Sequence, residues 1–154
     1  MSSVTSVPHS IHGRPIEILL VEDNPDEASL TIETLKEGRV RNNVTLLEDG
    51  VEAITFLRRE GKYAAVPRPD LILLDLRLPR KNGHEVLVEI KDDPDLKCIP
   101  VIILSKSSAD QDVLKAYRSF ASCYIEKPLD LDEFVAAVRK IEDFWISFVK
   151  LPAA

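Results

Sequence analysis

Polar residues that could perform chemistry lie where apolar segments of the chain end. Glu22 and Asp23 follow the run "IEILLV", Asp75 follows "LILL", Ser105 ends "IPVIILS", and Lys127 follows "CYIE". Three neighbouring carboxylates repel one another, and Mg²⁺ would relieve this repulsion because it binds carboxylates, waters and phosphate oxygens. A carboxylate beside such an ion and a lysine can accept a phosphoryl group.

Each of these residues also has an ordinary structural interpretation. Asp75 could simply be solvated at the end of its segment, and Glu22 and Asp23 could cap the next helix. Ser105 could belong to a helical N-terminal turn, and Lys127 could be a surface lysine. Their joint placement favours a site, in which the serine donates a hydrogen bond to a phosphoryl group and the lysine supplies a positive charge.

The segments that carry these residues alternate with helical patterns. Strands are predicted at "IEILLV", "NVTLLED", "DLILLDL", "IPVIILS" and "CYIEK". Continuous apolar strands are buried on both faces, which indicates a parallel sheet covered by helices. Right-handed crossovers favour an α/β, flavodoxin-like (βα)5 doubly wound sheet of order 2-1-3-4-5, whose ligands bind at the carboxyl ends of the strands.

The helices are predicted from caps and periodicity. Asn24 and Pro25 begin the first helix and Gly38 ends it, and "ADQDVLKAYRSFA" predicts a helix before the fifth strand. An extended C-terminal helix runs from about Leu129 into "IEDFWISFVK". The predicted organisation is a flexible tail over residues 1–14, one domain over 15–141, and a helix extension and tail over 142–154.

Composition narrows the function classes. The chain has 154 residues, of which 45% are apolar and 30% charged, and its net charge of -6 argues against non-specific nucleic-acid binding. No apolar run is long enough for a membrane span or a secretory signal. Cys98 and Cys123 are expected to be reduced core thiols, and the protein is expected in the cytoplasm. The glycine-rich loops GxxxxGK and GxGxxG are absent from the sequence.

A family resemblance rests on four motifs. "LLVEDNP", "PDLILLDLRLPRKNGHEVL", "IPVIILSKSS" and "CYIEKP" occur in the order and spacing of the receiver domain of two-component response regulators, which the chain resembles over residues 16–141. It looks most like the stand-alone regulators that serve bacterial phytochrome-type histidine kinases. The resemblance implies a phosphoacceptor that takes its phosphoryl group from a kinase phosphohistidine and promotes this transfer itself, rather than an enzyme.

The resemblance also implies roles for individual residues. Asp75 would be the phosphoacceptor. Asp23 and Asp75 would bind Mg²⁺ directly with the backbone carbonyl of Arg77, and Glu22 would bind it through a water. In this family the side chain two positions after the phosphoacceptor, here Arg77, tunes water access to the phosphoryl group, as does the residue at Ser107. The lifetime of the phosphorylated form therefore stays open.

The remaining implied roles concern phosphoryl binding and signalling. Ser105 and Lys127 would bind the phosphoryl group, and the Lys127–Pro128 peptide bond would be cis. Tyr124 would be the switch aromatic, whose ring follows the hydroxyl of Ser105 after phosphorylation and alters a protein-binding face.

The last helix carries more apolar residues than one buried stripe requires. We expect no attached output domain and a homodimer through this helix and the tail, with a tail folded onto its own domain as the alternative. The residues predicted at this interface are Phe144, Trp145, Phe148, Val149 and Leu151.

Three rival functions are weaker. A haloacid-dehalogenase-type phosphatase needs a second acid where Arg77 stands, and a flavodoxin-like cofactor binder needs a phosphate loop where "EDNPDE" stands. A degenerate receiver that only docks would not need the complete set of acids, serine and lysine.

Overall fold

The computed structural model describes residues 14–38, 41–106, 113, 115 and 117–148, with side chains described up to residue 140. Within these ranges the strands form one parallel sheet of order β2-β1-β3-β4-β5, as predicted. The strands are β1 (Ile16–Val21), β2 (Asn42–Leu47), β3 (Leu71–Leu74), β4 (Val101–Ser105) and β5 (Cys123–Glu126).

Helices cover both faces of the sheet. They are α1 (Pro25–Glu37), α2 (Gly50–Leu57), α3 (Gly83–Asp92) and α4 (Leu131–Phe148), with a short 3-10 turn at Gly61–Tyr63. The helix predicted over "ADQDVLKAYRSFA" falls largely outside the described residues. No helix in the described part of the chain is long and apolar enough to cross a membrane.

Two hydrophobic clusters form the core, one on each face of the sheet. Side chains along a strand alternate between faces, so the unbroken apolar run of β3 supplies both clusters. Ile72 and Leu74 pack with residues of α2 and α3, whereas Leu71 and Leu73 pack with residues of α1 and α4. This two-sided burial fixes the strands and leaves their carboxyl ends as the place where polar side chains can meet.

Side-chain caps set where α1 and α3 begin. The Asn24 side chain accepts hydrogen bonds from the backbone N–H groups of Asp26 and Glu27, at 3.0 and 3.1 Å, and Pro25 takes the first helical position. Asn82 and Glu85 form a reciprocal capping box at the start of α3. The first cap places Glu27 in the opening turn of α1, next to the end of β1.

The prediction of core thiols is wrong for Cys98, whereas Cys123 packs against the core cluster on the α1 and α4 side. Cys98 is exposed and Cys123 is half-buried. Cys98 lies in the turn that follows Pro94, between α3 and β4, whereas the neighbouring Ile99 points inward and is buried. An apolar sequence neighbourhood therefore did not imply burial, because consecutive residues of a turn face different ways.

Candidate functional site

The topology gathers the predicted site residues at one edge of the sheet. β1, β3, β4 and β5 are consecutive neighbours and run parallel, so their carboxyl ends meet at that edge. Backbone hydrogen bonds continue the ladder past the strand ends, from Asp75 N to Val21 O at 3.1 Å and from Lys127 N to Ser105 O at 2.8 Å. These bonds fix the positions from which the side chains of Asp75 and Lys127 start.

Three carboxylates form a cluster at this edge. One ligand oxygen each of Glu22, Asp23 and Asp75 lies within 4.8 Å of the others. Glu22 and Asp75 are only 2% and 6% exposed, whereas Asp23 is exposed. The cluster therefore has a buried side and a side that opens to solvent.

Burial and charge act together on Glu22. Desolvation raises the pKa of its carboxyl group and the charge of Asp75 adds to this, while hydrogen bonds from Lys127 and from the backbone N–H of Asn24 oppose it. The net effect of these contributions is to raise the pKa of Glu22. Burial and the charge of Asp75 thus disfavour the charged form of Glu22, which a cation would stabilise.

Lys127 contacts two of the three acids, Glu22 and Asp75, from its position after the end of β5. Its Nζ atom donates a hydrogen bond to the Glu22 carboxylate, donates to Glu27 Oε1 at 2.5 Å, and lies 3.3 Å from Asp75 Oδ2. Desolvation lowers the pKa of Lys127, but its bonds to Glu22 and Glu27 and the charge of Asp75 outweigh that effect and raise it. Lys127 is therefore held in its charged form beside the carboxylate predicted to accept phosphate.

Glu27 is a member of this network that sequence reasoning missed. Its other carboxylate oxygen, Oε2, accepts from Lys106 Nζ at 2.7 Å, and bonding to Lys106 and Lys127 lowers the pKa of Glu27. Glu27 lies in the first turn of α1, where the positive end of the helix favours an acid. Glu27 stands four residues after Asp23 in the sequence, and this spacing was the signal that it lies beside the end of β1.

The other predicted site residues lie in the strands and loops in which the sequence analysis placed them. Ser105 ends β4 and is 1% exposed, and the cis Lys127–Pro128 bond is present. Tyr124 lies in β5 and packs, half-buried, against the core cluster on the α2 and α3 side. Arg77 is exposed in the loop after β3. Their functional roles stay predictions.

The loop from Asp75 to Gly83 is pinned by close backbone contacts. Gly83 N donates to Leu76 O at 2.9 Å, and Gly50 N donates to Pro79 O at 3.5 Å. Arg80 forms an ion pair of 2.8 Å with Asp49, the residue that caps α2. The loop that follows the central carboxylate is thereby tied to the N-terminal ends of both α2 and α3.

Comparison with known proteins identifies the family. The family model described as the response regulator receiver domain matches residues 18–139. The chain belongs to the response regulator receiver domain family. Receiver domains are phosphoacceptors and not enzymes in the usual sense, which agrees with the sequence-based expectation.

Individual relatives resemble this receiver chain over most of its length. It is 46% identical to the response regulator Rcp1 of Synechocystis sp. over 140 residues, which covers 91% of the chain and 95% of Rcp1. A crystal structure of the Mn²⁺-bound form of Rcp1 matches with a TM-score of 0.71 and 45% identity, and covers 90% of this chain and 100% of that one. The phosphorylated cyanobacterial phytochrome response regulator RcpA matches with a TM-score of 0.73 and 46% identity, over 91% of this chain and 100% of that one.

Family membership and the acidic cluster bear on the predicted fold, family and metal ligands. The fold class and the receiver assignment are confirmed, and the cluster of Glu22, Asp23 and Asp75 has the ligand type expected for a divalent metal ion. Arg77 stands where the phosphatase alternative needs an acid, and "EDNPDE" stands where the cofactor-binding alternative needs a phosphate loop.

The predicted dimer interface lies beyond residue 140, the last whose side chain is described. Phe144, Trp145 and Phe148 belong to α4, but their side chains are not among those described. Val149 and Leu151 lie outside the described residues. The homodimer and the cytoplasmic location stay predictions.

Proposed function

We propose that this receiver accepts a phosphoryl group on Asp75 in a Mg²⁺-dependent reaction and transmits the change through an altered protein-binding face. One observation carries the proposal. One carboxylate oxygen each of Glu22, Asp23 and Asp75 lies within 4.8 Å of the others, beside Lys127 Nζ at 3.3 Å from Asp75 Oδ2.

The residues present fit a magnesium ion. Asp23 and Asp75 would hold it directly, with the Arg77 carbonyl as a further ligand and Glu22 acting through water. Mg²⁺ prefers a few carboxylates together with waters and a phosphate oxygen, and both could reach the cluster from the solvent side, where Asp23 is exposed. When bound, the ion would neutralise charge on the transferring phosphoryl group.

The proposed transfer is a substitution at phosphorus. A carboxylate oxygen of Asp75 attacks the phosphorus of a phosphohistidine, and the new O–P bond forms while the P–N bond breaks. The imidazole nitrogen of the donor leaves with the electron pair of that bond. Lys127 and Ser105 bind the phosphoryl oxygens, the lysine by charge and the serine by a hydrogen bond. Tyr124 then follows Ser105 as the switch aromatic.

Replacing a proposed metal ligand tests the metal dependence. We expect Asp23→Asn to raise the Mg²⁺ concentration needed for half-maximal phosphorylation on the order of tenfold or more, because one direct carboxylate ligand is lost. The measurement is phosphorylation of the intact protein by acetyl phosphate over a Mg²⁺ titration, followed by mass spectrometry. Asp26→Asn removes the same charge from an exposed position nearby and serves as the control. Equal Mg²⁺ requirements in wild type and Asp23→Asn would contradict the assignment.

We further propose that the donor is a histidine kinase of the phytochrome type. The support is the 46% identity to RcpA, which is described as a phytochrome response regulator. Incubation with a panel of autophosphorylated kinases should give transfer at least about tenfold faster from a phytochrome-type member than from unrelated kinases. Uniform rates across the panel would refute this pairing and leave the phosphoacceptor assignment intact.

A further inference from the structure

One carboxylate, that of Glu27, bridges two lysines beside the cluster of Glu22, Asp23 and Asp75. Glu27 Oε1 accepts from Lys127 at 2.5 Å, and Glu27 Oε2 accepts from Lys106 at 2.7 Å. The side chains of Lys127, Glu27 and Lys106 are 6%, 21% and 73% exposed. The three residues thus form a row of alternating charges that leads from the buried Lys127 to the solvent.

The hydrogen-bonding capacity of Lys127 is limited. An ammonium group has three N–H donors, and Glu22 and Glu27 already accept from Lys127. A phosphoryl group on Asp75 requires donors from the same ammonium group. Glu22 belongs to the proposed metal cluster, so a bound Mg²⁺ would weaken its hold on Lys127. Glu27 lies outside that cluster and therefore keeps competing with the phosphoryl group for Lys127.

We propose that Glu27 restrains Lys127 in competition with the phosphoryl group, and that Lys106 weakens this restraint by neutralising Glu27. Glu27 is then a positioning residue that sets how readily Lys127 turns to the phosphoryl group. The inference rests on the proposed function, because it assigns a role to the partners of Lys127 in that reaction.

The proposal predicts opposite effects for substitutions of Glu27 and of Lys106. Removing the charge of Glu27 frees Lys127, so Glu27→Gln should accelerate phosphorylation by about threefold to tenfold, as expected when one charge-assisted hydrogen bond is weakened. Lys106→Met leaves Glu27 uncompensated and more strongly attached to Lys127, so it should slow phosphorylation by about twofold to fivefold. Lys106→Arg should keep the wild-type rate.

The double variant shows whether Lys106 changes the phosphorylation rate through Glu27 or directly. If Lys106 acts only through Glu27, then Glu27→Gln combined with Lys106→Met should match Glu27→Gln alone. The measurement is the initial rate of phosphorylation of Asp75 by acetyl phosphate at saturating Mg²⁺, followed by intact-mass spectrometry. Asp26→Asn removes a charge one residue away from Glu27 and should have a smaller effect than Glu27→Gln.

Several outcomes would overturn the inference. The first is a phosphorylation rate of Glu27→Gln that is equal to or below the wild-type rate. The second is an acceleration by Asp26→Asn as large as that by Glu27→Gln. The third is that Lys106→Met slows phosphorylation by the same factor in the Glu27→Gln background as in the wild type. Lys106 is largely exposed, so its variants should fold even if Glu27→Gln does not. An unlabelled wild type would remove the proposed function together with this inference, whereas a labelled wild type with unresponsive variants would remove the inference alone.

Discussion

Asp75→Asn protein should carry no phosphoryl group under conditions in which the wild type is labelled. The amide lacks the anionic oxygen that attacks phosphorus, so labelling should fall by at least about a hundredfold. Asparagine has nearly the shape of aspartate, and its neutrality lessens the repulsion from Glu22 and Asp23, which keeps the fold intact. Intact-mass spectrometry after incubation with acetyl phosphate and Mg²⁺ gives the labelled fraction directly.

A matched substitution controls for general effects of charge. Asp92 is an exposed acid at the end of α3, and Asp92→Asn should be labelled as the wild type is. Circular dichroism should show the same helix content in all three proteins. Labelling of Asp75→Asn at the wild-type rate would show that another residue accepts the phosphoryl group.

Gly83→Ala should strongly destabilise the domain. A Cβ atom at this position would lie 2.2 Å from the backbone oxygen of Asp75 and 2.6 Å from the Cα atom of Leu76. Both neighbours are backbone atoms of the loop that follows β3, so the clash is relieved only if that loop moves. We expect the free energy of unfolding to fall by about 3 kcal/mol or more, measured by urea denaturation.

Gly61→Ala separates steric overlap from backbone conformation. Gly61 has a φ of +58°, and an added Cβ atom there would meet no atom within 4 Å. Its substitution should therefore lower the free energy of unfolding by only about 1–2 kcal/mol, from the left-handed conformation alone. A Gly83→Ala protein as stable as Gly61→Ala would show that the loop yields easily and does not fix Asp75 rigidly.

Much of the fold follows from local sequence pattern. The apolar runs of β1, β3 and β4 are long enough to require burial on both faces, and alternation with helices then limits the topology to a doubly wound sheet. The same reasoning places Glu22, Asp75 and Lys127 at one edge, because parallel strands that are neighbours end together. The first-turn position of Glu27 followed from the cap formed by Asn24.

Other features depend on contacts that no local pattern encodes. The bridge from Lys106 through Glu27 to Lys127 joins three elements, and its existence depends on side-chain reach after the sheet has formed. The close approach of Gly83 to Asp75 was similarly hidden, since the "NG" pair in the sequence indicates only a loop. Burial at Cys98 was misjudged because a turn can direct adjacent residues to opposite sides.

The most direct measurement is the identity of the phosphorylated residue in the wild-type protein. Borohydride reduces an acyl phosphate to the corresponding alcohol, so it converts a phosphorylated aspartate to homoserine, which peptide mass spectrometry can locate. After reaction with acetyl phosphate and Mg²⁺, we predict homoserine at Asp75 and at no other acid, and none when Mg²⁺ is chelated before the donor is added. Modification at Glu22 or Asp23 instead, or equal modification of Asp75 without the metal, would contradict the magnesium-dependent phosphoacceptor site.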